Sequence, residues 1–125
     1  MITTFTKKEK LKSKKEIDLL FSEGKTIAQY PIRLIYRKIT SDTEVDIKTA
    51  VSVSKRNFKK AVDRNHIKRL LRESYRKNKY IVPHTTHQFS FMFLYTGKEI
   101  PDYILVASKM KRILQKFVKQ EIKIS

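Results

Sequence analysis

Arg64, Lys68, Arg72 and Arg76 recur at every fourth position, with Asn65 and Arg69 beside them. Side chains spaced in this way share one side of an α-helix. The chemistry open to such a row is charge neutralisation. Guanidinium groups grip phosphate through paired N–H donors, and ammonium groups act as point charges. The row lies within Lys55 to Lys79, a stretch of 25 residues with eleven Lys or Arg and two acids, Asp63 and Glu73. Glu73 is spaced to pair with Arg69 and Lys77, which leaves Arg64, Lys68, Arg72 and Arg76 to repel one another. A solvated basic face normally carries acids that balance it. This one suits a polyanion better.

Other residue types point away from bond-breaking. His84 and His87 sit on a Pro- and Thr-rich connection with no Asp, Glu or Cys close by, and two ligands without a third do not make a zinc site. His66 reads as a helix-face residue. Ser52 and Ser54 have no His–carboxylate pair in sequence reach. No catalytic residue and no metal ligand set is expected. A second binding group is suggested by Phe21, Tyr36, Ser52, Ser54 and Lys55, in which rings stack on single-stranded bases while hydroxyl and ammonium groups meet phosphate. Read by composition alone, Phe21 and Tyr36 are core residues. Asn65, a poor helix former, bonds either to local backbone or to the polyanion.

The elements that must position these groups follow from periodicity. Residues 1–12 read as extended or loose, with 1–10 disordered or held only by Phe5, and Leu11 as an anchor. Ser13 and Glu16 form a capping-box pattern. The helix they open runs to Glu23, buries Ile17, Leu20 and Phe21, and stops with Gly24 in the C′ position. Thr26 to Ile39 suits a strand, with Pro31 marking an edge or a start. Ile32, Leu34 and Tyr36 face one side, and Arg33, Ile35 and Arg37 the other. The acidic loop Thr40 to Asp46 should point away from a polyanion. Ile47 to Ser54 alternates as a strand with Ile47, Thr49, Val51 and Val53 on one face, so the two strands read as an antiparallel hairpin.

The basic stretch places Ile67, Leu70, Leu71 and Ser74 on a core-facing stripe. Tyr80 to Thr86 is a connection broken by Pro83. Gln88 to Thr96 is a strand with Phe89, Phe91, Phe93 and Tyr95 on one face. Pro101-Asp102 opens a last helix to Gln120, with Ile104, Ala107, Met110, Leu114 and Phe117 inward and Lys109, Arg112, Lys116 and Lys119 outward. The fold class is α+β, a two-layer sandwich of helices on a small mixed sheet in the order α-β-β-(β)-α-β-α.

Composition narrows the function classes. A chain of 125 residues with a formal net charge of +17 reads as one domain strongly attracted to nucleic acid or an anionic membrane. An apolar content of 40% with seven Phe and six Tyr argues against disorder. No cysteine means no disulfide framework. No apolar run approaches the length of a membrane span, and the last helix needs its apolar stripe for the core. The chain reads as cytoplasmic.

The run Ser52-Val53-Ser54-Lys55-Arg56, then Ala61-Val62, then Arg64-Asn65-His66-Ile67-Lys68-Arg69-Leu70-Leu71-Arg72-Glu73 resembles the signature of the bacterial ribonuclease P protein subunit. The pattern departs at His66, where the family has a second Arg, and at Asn57 to Lys60, which replaces a shorter turn containing Gly. The resemblance spans Leu11 to Phe117. It implies a left-handed crossover through the basic helix, where chain physics alone favours the right-handed one. It implies an endoribonuclease subunit that removes the 5′ leader of precursor tRNA, with Mg²⁺ and hydrolysis in the keeping of a catalytic RNA. The surface for that RNA would be Lys55, Arg56, Lys60, Arg64, Asn65, Lys68, Arg69, Arg72 and Arg76. A leader cleft would comprise Ile17, Phe21, Tyr36, Ser52 and Ser54, with Ile17 where the family has a further Phe. A structural or ribosomal RNA-binding protein without a processing role is the alternative.

Overall fold

The architecture is that of a computed structural model, which describes residues 10–39, 47–83 and 88–122. Helix α1 spans Lys14–Glu23. Strands β1 (Lys25–Gln29), β2 (Ile32–Ile39) and β3 (Ile47–Val53) follow, then helix α2 (Ala61–Asn78), a 3-10 turn (Lys79–Ile81), strand β4 (Gln88–Tyr95) and helix α3 (Tyr103–Glu121). Phe5, the acidic loop 40–46, His84 and His87 lie outside the described residues.

The helix starts obey local chemistry. Ser13 Oγ accepts the Glu16 N–H at 3.3 Å, and Asp102 Oδ1 accepts the Leu105 N–H at 2.8 Å. Each side chain satisfies one of the orphan donors of a first turn. The other half of the expected capping box is not made, because both Glu16 carboxylate oxygens accept from Arg37 Nη1 at 2.9 Å. Gly24 ends α1, but with φ −72° and ψ 155° it is extended rather than left-handed. Its role is close approach: a Cβ there would lie 2.4 Å from the Leu20 carbonyl oxygen and 2.6 Å from Ile35 Cγ2.

The four strands lie in the order β1-β2-β4-β3. β2 pairs antiparallel with both β1 and β4, while β3 runs parallel to β4. Two expectations are corrected. The stretch 26–39 is not one strand but a tight hairpin turning at Tyr30-Pro31, where the Pro31 carbonyl accepts the Thr96 N–H at 2.7 Å. β2 and β3 do not form an antiparallel hairpin either, because β4 takes the place between them. The parallel pair β3 and β4 is joined through α2, as parallel neighbours require.

Alternation sorts the strand residues as expected. Leu34, Tyr36, Val53, Phe89, Phe91, Phe93 and Tyr95 enter one core with Ile67, Leu71 and Tyr75 of α2 and Met110, Leu114 and Phe117 of α3. Phe117 is its hub: its ring meets Tyr36 and Phe89 at 5.0 Å and Phe91 at 4.8 Å, all edge to face. Such pairs contribute about 0.5–1.5 kcal/mol each beyond their buried area. α1 lies on the reverse face of the sheet, where Leu11, Leu20, Ile35 and Met92 form a smaller cluster. The α+β class and the element order stand, with α1 adding cover to the sheet's second side. On α1 only Leu20 is buried; Ile17 is half-buried and Phe21 is 57% exposed. On α3 the inward stripe is Val106, Met110, Ile113, Leu114 and Phe117, whereas Ile104 points outward at 79% exposure.

Candidate nucleic-acid interface

The basic stretch is two structures rather than one helix. Lys55 to Lys60 form a loop, and α2 begins at Ala61 with Lys60 as its N-cap. Phe58 holds that loop, its side chain buried in the main core and its ring 5.9 Å from Tyr95. Ser54 Oγ accepts the Arg56 N–H at 3.1 Å, and the Ser54 carbonyl accepts the Phe58 N–H at 3.1 Å. Asn57 Nδ2 donates to the Gly97 carbonyl at 3.3 Å, tying the loop to the end of β4. The departure at Asn57 to Lys60 is therefore a folded turn with its own anchor. It leaves Lys55, Arg56, Lys59 and Lys60 exposed beside the start of α2.

The row on α2 slants. A four-residue step turns about 40° past a full circle, so Arg64, Lys68, Arg72 and Arg76 wind outward from the edge of the core. Arg64 is half-buried at the inner end, and its Nη1 donates to the carbonyls of Phe58 at 2.8 Å and Lys59 at 2.9 Å. Arg64 thus uses one guanidinium nitrogen, Nη1, to lock the loop to the helix. Lys68 is half-buried, and Arg72, Asn65 and Arg69 are exposed. At the outer end Arg76 Nε donates to Glu73 Oε2 at 3.2 Å, with Lys77 Nζ 3.6 Å from the same carboxylate. Glu73 thus takes Arg76 in place of the expected Arg69. The hydrogen bond from Arg76, helped by the charges of Arg76 and Lys77, holds the Glu73 carboxyl below its usual range. The exposed cations of this stretch are Arg69, Arg72, Lys77 and the loop cations, with Asn65 among them.

The second group of candidate residues is divided by the sheet. Ile17 of α1 packs on the reverse-face cluster with Ala50 and Leu94. Phe21 stands one helical turn beyond Ile17, exposed. Ser52 is half-buried and pairs in register with Leu94, while its neighbours Val51 and Val53 turn to the main core. Ser54 is exposed just past the strand end. Tyr36 is on the other side. It is 2% exposed, packed edge to face on Phe117, and its hydroxyl donates to Glu121 Oε2 at 2.7 Å. Its place in a cleft with Phe21 is corrected: the sheet separates them. Burial first, then the bond to Glu121, pushes the Tyr36 hydroxyl far above its ordinary pKa. Sequence reasoning missed Ala50 and Leu94 as neighbours of Ser52 and Ile17. The signal was available in the alternation, which puts Lys48, Ala50 and Ser52 on one face of β3.

Among the described residues no three His, Asp or Glu side chains converge as a metal site, and no helix is long and apolar enough to cross a membrane.

Comparison with known proteins bears on the family and the fold. The family model described as Ribonuclease P matches residues 5–120. A ribonuclease P protein component of Porphyromonas gingivalis is 34% identical over 113 residues, covering 87% of this chain and 82% of the relative. That of Thermotoga maritima is 35% identical over 83 residues, covering 66% of this chain and 68% of the relative. The solved ribonuclease P protein of Thermotoga maritima superposes with a TM-score of 0.70 at 26% identity, covering 86% of this chain and 96% of that one. The Staphylococcus aureus RNase P protein shares the fold, with a TM-score of 0.68 at 18% identity over 86% of this chain and 94% of that one.

Proposed function

The chain belongs to the ribonuclease P protein family and has that family's role as a ribonuclease P subunit in tRNA 5′ maturation; from this premise we propose how its surfaces divide the work. Residues 1–125 act as one RNA-binding domain in the cytoplasm. Lys55, Arg56, Lys60, Asn65, Lys68, Arg69, Arg72 and Arg76 dock on the catalytic RNA. Arg64 serves the same surface by holding its loop. The reverse face of the sheet beside α1, with Ile17, Phe21, Ser52 and Ser54, receives the 5′ leader of precursor tRNA.

Hydrolysis is assigned to the RNA, with Mg²⁺ held mainly by RNA and substrate phosphates. Among the described residues three carboxylates are already engaged within the protein, Glu16 by Arg37, Glu73 by Arg76 and Lys77, and Glu121 by Lys25 and Tyr36. On this reading the chain's own residues supply binding and orientation. Each phosphate neutralised releases a condensed counterion, so six to ten contacts give a log K against log salt slope of roughly −5 to −9.

The observation that carries the reading is the anchored turn 54–60 leading into α2, which presents loop and helix cations beside one another on a rigid base. Reconstitution with the organism's own catalytic RNA tests it. Precursor tRNA should be cleaved at low Mg²⁺ only when the protein is present. Tight RNA binding with no effect on cleavage would instead indicate a structural RNA-binding protein.

A further inference from the structure

Helix α3 carries a second cationic row that the surfaces above do not use. Lys109, Arg112, Lys116 and Lys119 follow one another at steps of three and four residues, and the last three are exposed. Among the described residues no carboxylate lies within ion-pair distance of any of them. The one acid within α3, Glu121, is already occupied by Lys25 at 3.3 Å and by the Tyr36 hydroxyl at 2.7 Å. Like charges left in line on a helix repel and favour a polyanion against them.

The row runs at its upper end into an open groove of about 690 Å³ between the β1–β2 turn and the first turn of α3. Lys109 both lines the groove and heads the row. The groove wall includes Tyr30, Ile100 and Leu105, which are 70%, 50% and 40% exposed. Its charges differ from those of the row. Lys98 and Lys109 are offset there by Glu99 and Asp102, and Asp102 is engaged in capping α3 through the Leu105 N–H. A near-neutral groove of mixed polarity thus opens onto the cations Arg112, Lys116 and Lys119, which have no carboxylate partner among the described residues.

From this polarity we infer that α3 and the β1–β2 turn form a separate binding surface for single-stranded RNA. A base enters the groove against Tyr30 and Leu105, and the following phosphates lie along Lys109, Arg112, Lys116 and Lys119. The row spans about 15 Å of helix, enough for roughly two or three phosphates of an extended strand. A duplex meets the cations but leaves the groove idle, since its base faces are already stacked. The inference stands on α3 and does not rest on the ribonuclease P reading.

The test is binding of a labelled single-stranded RNA decamer to the full chain across a salt series, with a duplex of the same sequence in parallel. The triple variant Arg112→Gln, Lys116→Gln, Lys119→Gln should flatten the salt slope for the single strand by about two, at roughly 0.7 per charge. Tyr30→Leu should weaken the single strand roughly five- to hundredfold at unchanged slope and leave the duplex unaffected. Leu105→Gln, at an exposed helix position, should shift affinity in the same direction and carries this arm if Tyr30→Leu disturbs the turn. An unchanged slope in the triple variant overturns the proposal. So do groove variants that weaken strand and duplex equally, or that alter neither. Assembly with the catalytic RNA, scored separately on Arg69→Gln and Arg72→Gln, reports on the ribonuclease P reading, so the two can fail apart.

Discussion

Tyr36 on β2 donates its hydroxyl proton to Glu121 Oε2 at 2.7 Å, fastening the end of α3 to the sheet, with Lys25 of β1 at 3.3 Å from the same oxygen. This contact makes Tyr36 part of the frame instead of the reverse-face surface. It also makes the frame sensitive to pH at both ends.

Burial acts to raise the Glu121 carboxyl, but the Tyr36 hydroxyl and Lys25 ammonium outweigh it and hold the group below its usual range. Its share of stability is complete above the unfolded carboxylate value and is lost as pH falls through the lower folded one. Tyr36 is shifted upward, so its share is complete below the ordinary tyrosine value of about 10 and is lost as pH rises through the folded one. Denaturation followed across pH should show both losses. Tyr36→Phe should flatten both limbs and cost on the order of 1–3 kcal/mol at neutral pH; a variant with the wild-type profile would refute the coupling.

Arg64 and Arg72 should separate cleanly in a paired measurement. Arg64→Gln removes two bonds to loop carbonyls and should lower stability by about 1–3 kcal/mol while also weakening RNA. Arg72→Gln should leave the melting temperature unchanged and reduce the magnitude of the salt slope by about 0.9. Equal stability of the two variants would mean that the Arg64 contacts with the turn contribute nothing.

Phe21→Ala should change folding stability by less than about 0.5 kcal/mol, because the ring is 57% exposed. Affinity for leader-bearing precursor tRNA should nevertheless fall relative to mature tRNA. If both substrates weaken equally, the leader does not reach this side of the sheet.

Gly24→Ala should destabilise the fold by about 1–3 kcal/mol despite an ordinary backbone conformation, since the added methyl meets the Leu20 carbonyl and Ile35 at contact distances no real Cβ adopts. Chemical denaturation measures this directly. A neutral result would mean that α1 shifts freely on β2.

Much of this protein is written along the chain. Alternation alone sorts Phe89, Phe91, Phe93 and Tyr95 onto one face, a period of 3.6 picks out Ile67, Leu71 and Ser74, and Ser13 and Asp102 begin their helices because a short side-chain oxygen there meets an otherwise unpaired N–H. These are local rules, complete within a few residues. The excess of cations is equally a property of composition.

What the tertiary structure decided is adjacency. A strand's pattern states which residues share a face, but not which strand lies beside it, so the insertion of β4 between β2 and β3 had no local signature. Nor could the pattern say which face α1 would cover, and that choice placed Tyr36 in the main core with Phe21 across the sheet. Arg64 is the same lesson at the scale of one side chain. Its spacing allots it to the cationic row, but the drift of an i+4 step brings it against the carbonyls of a turn whose course only folding of Phe58 into the core could set.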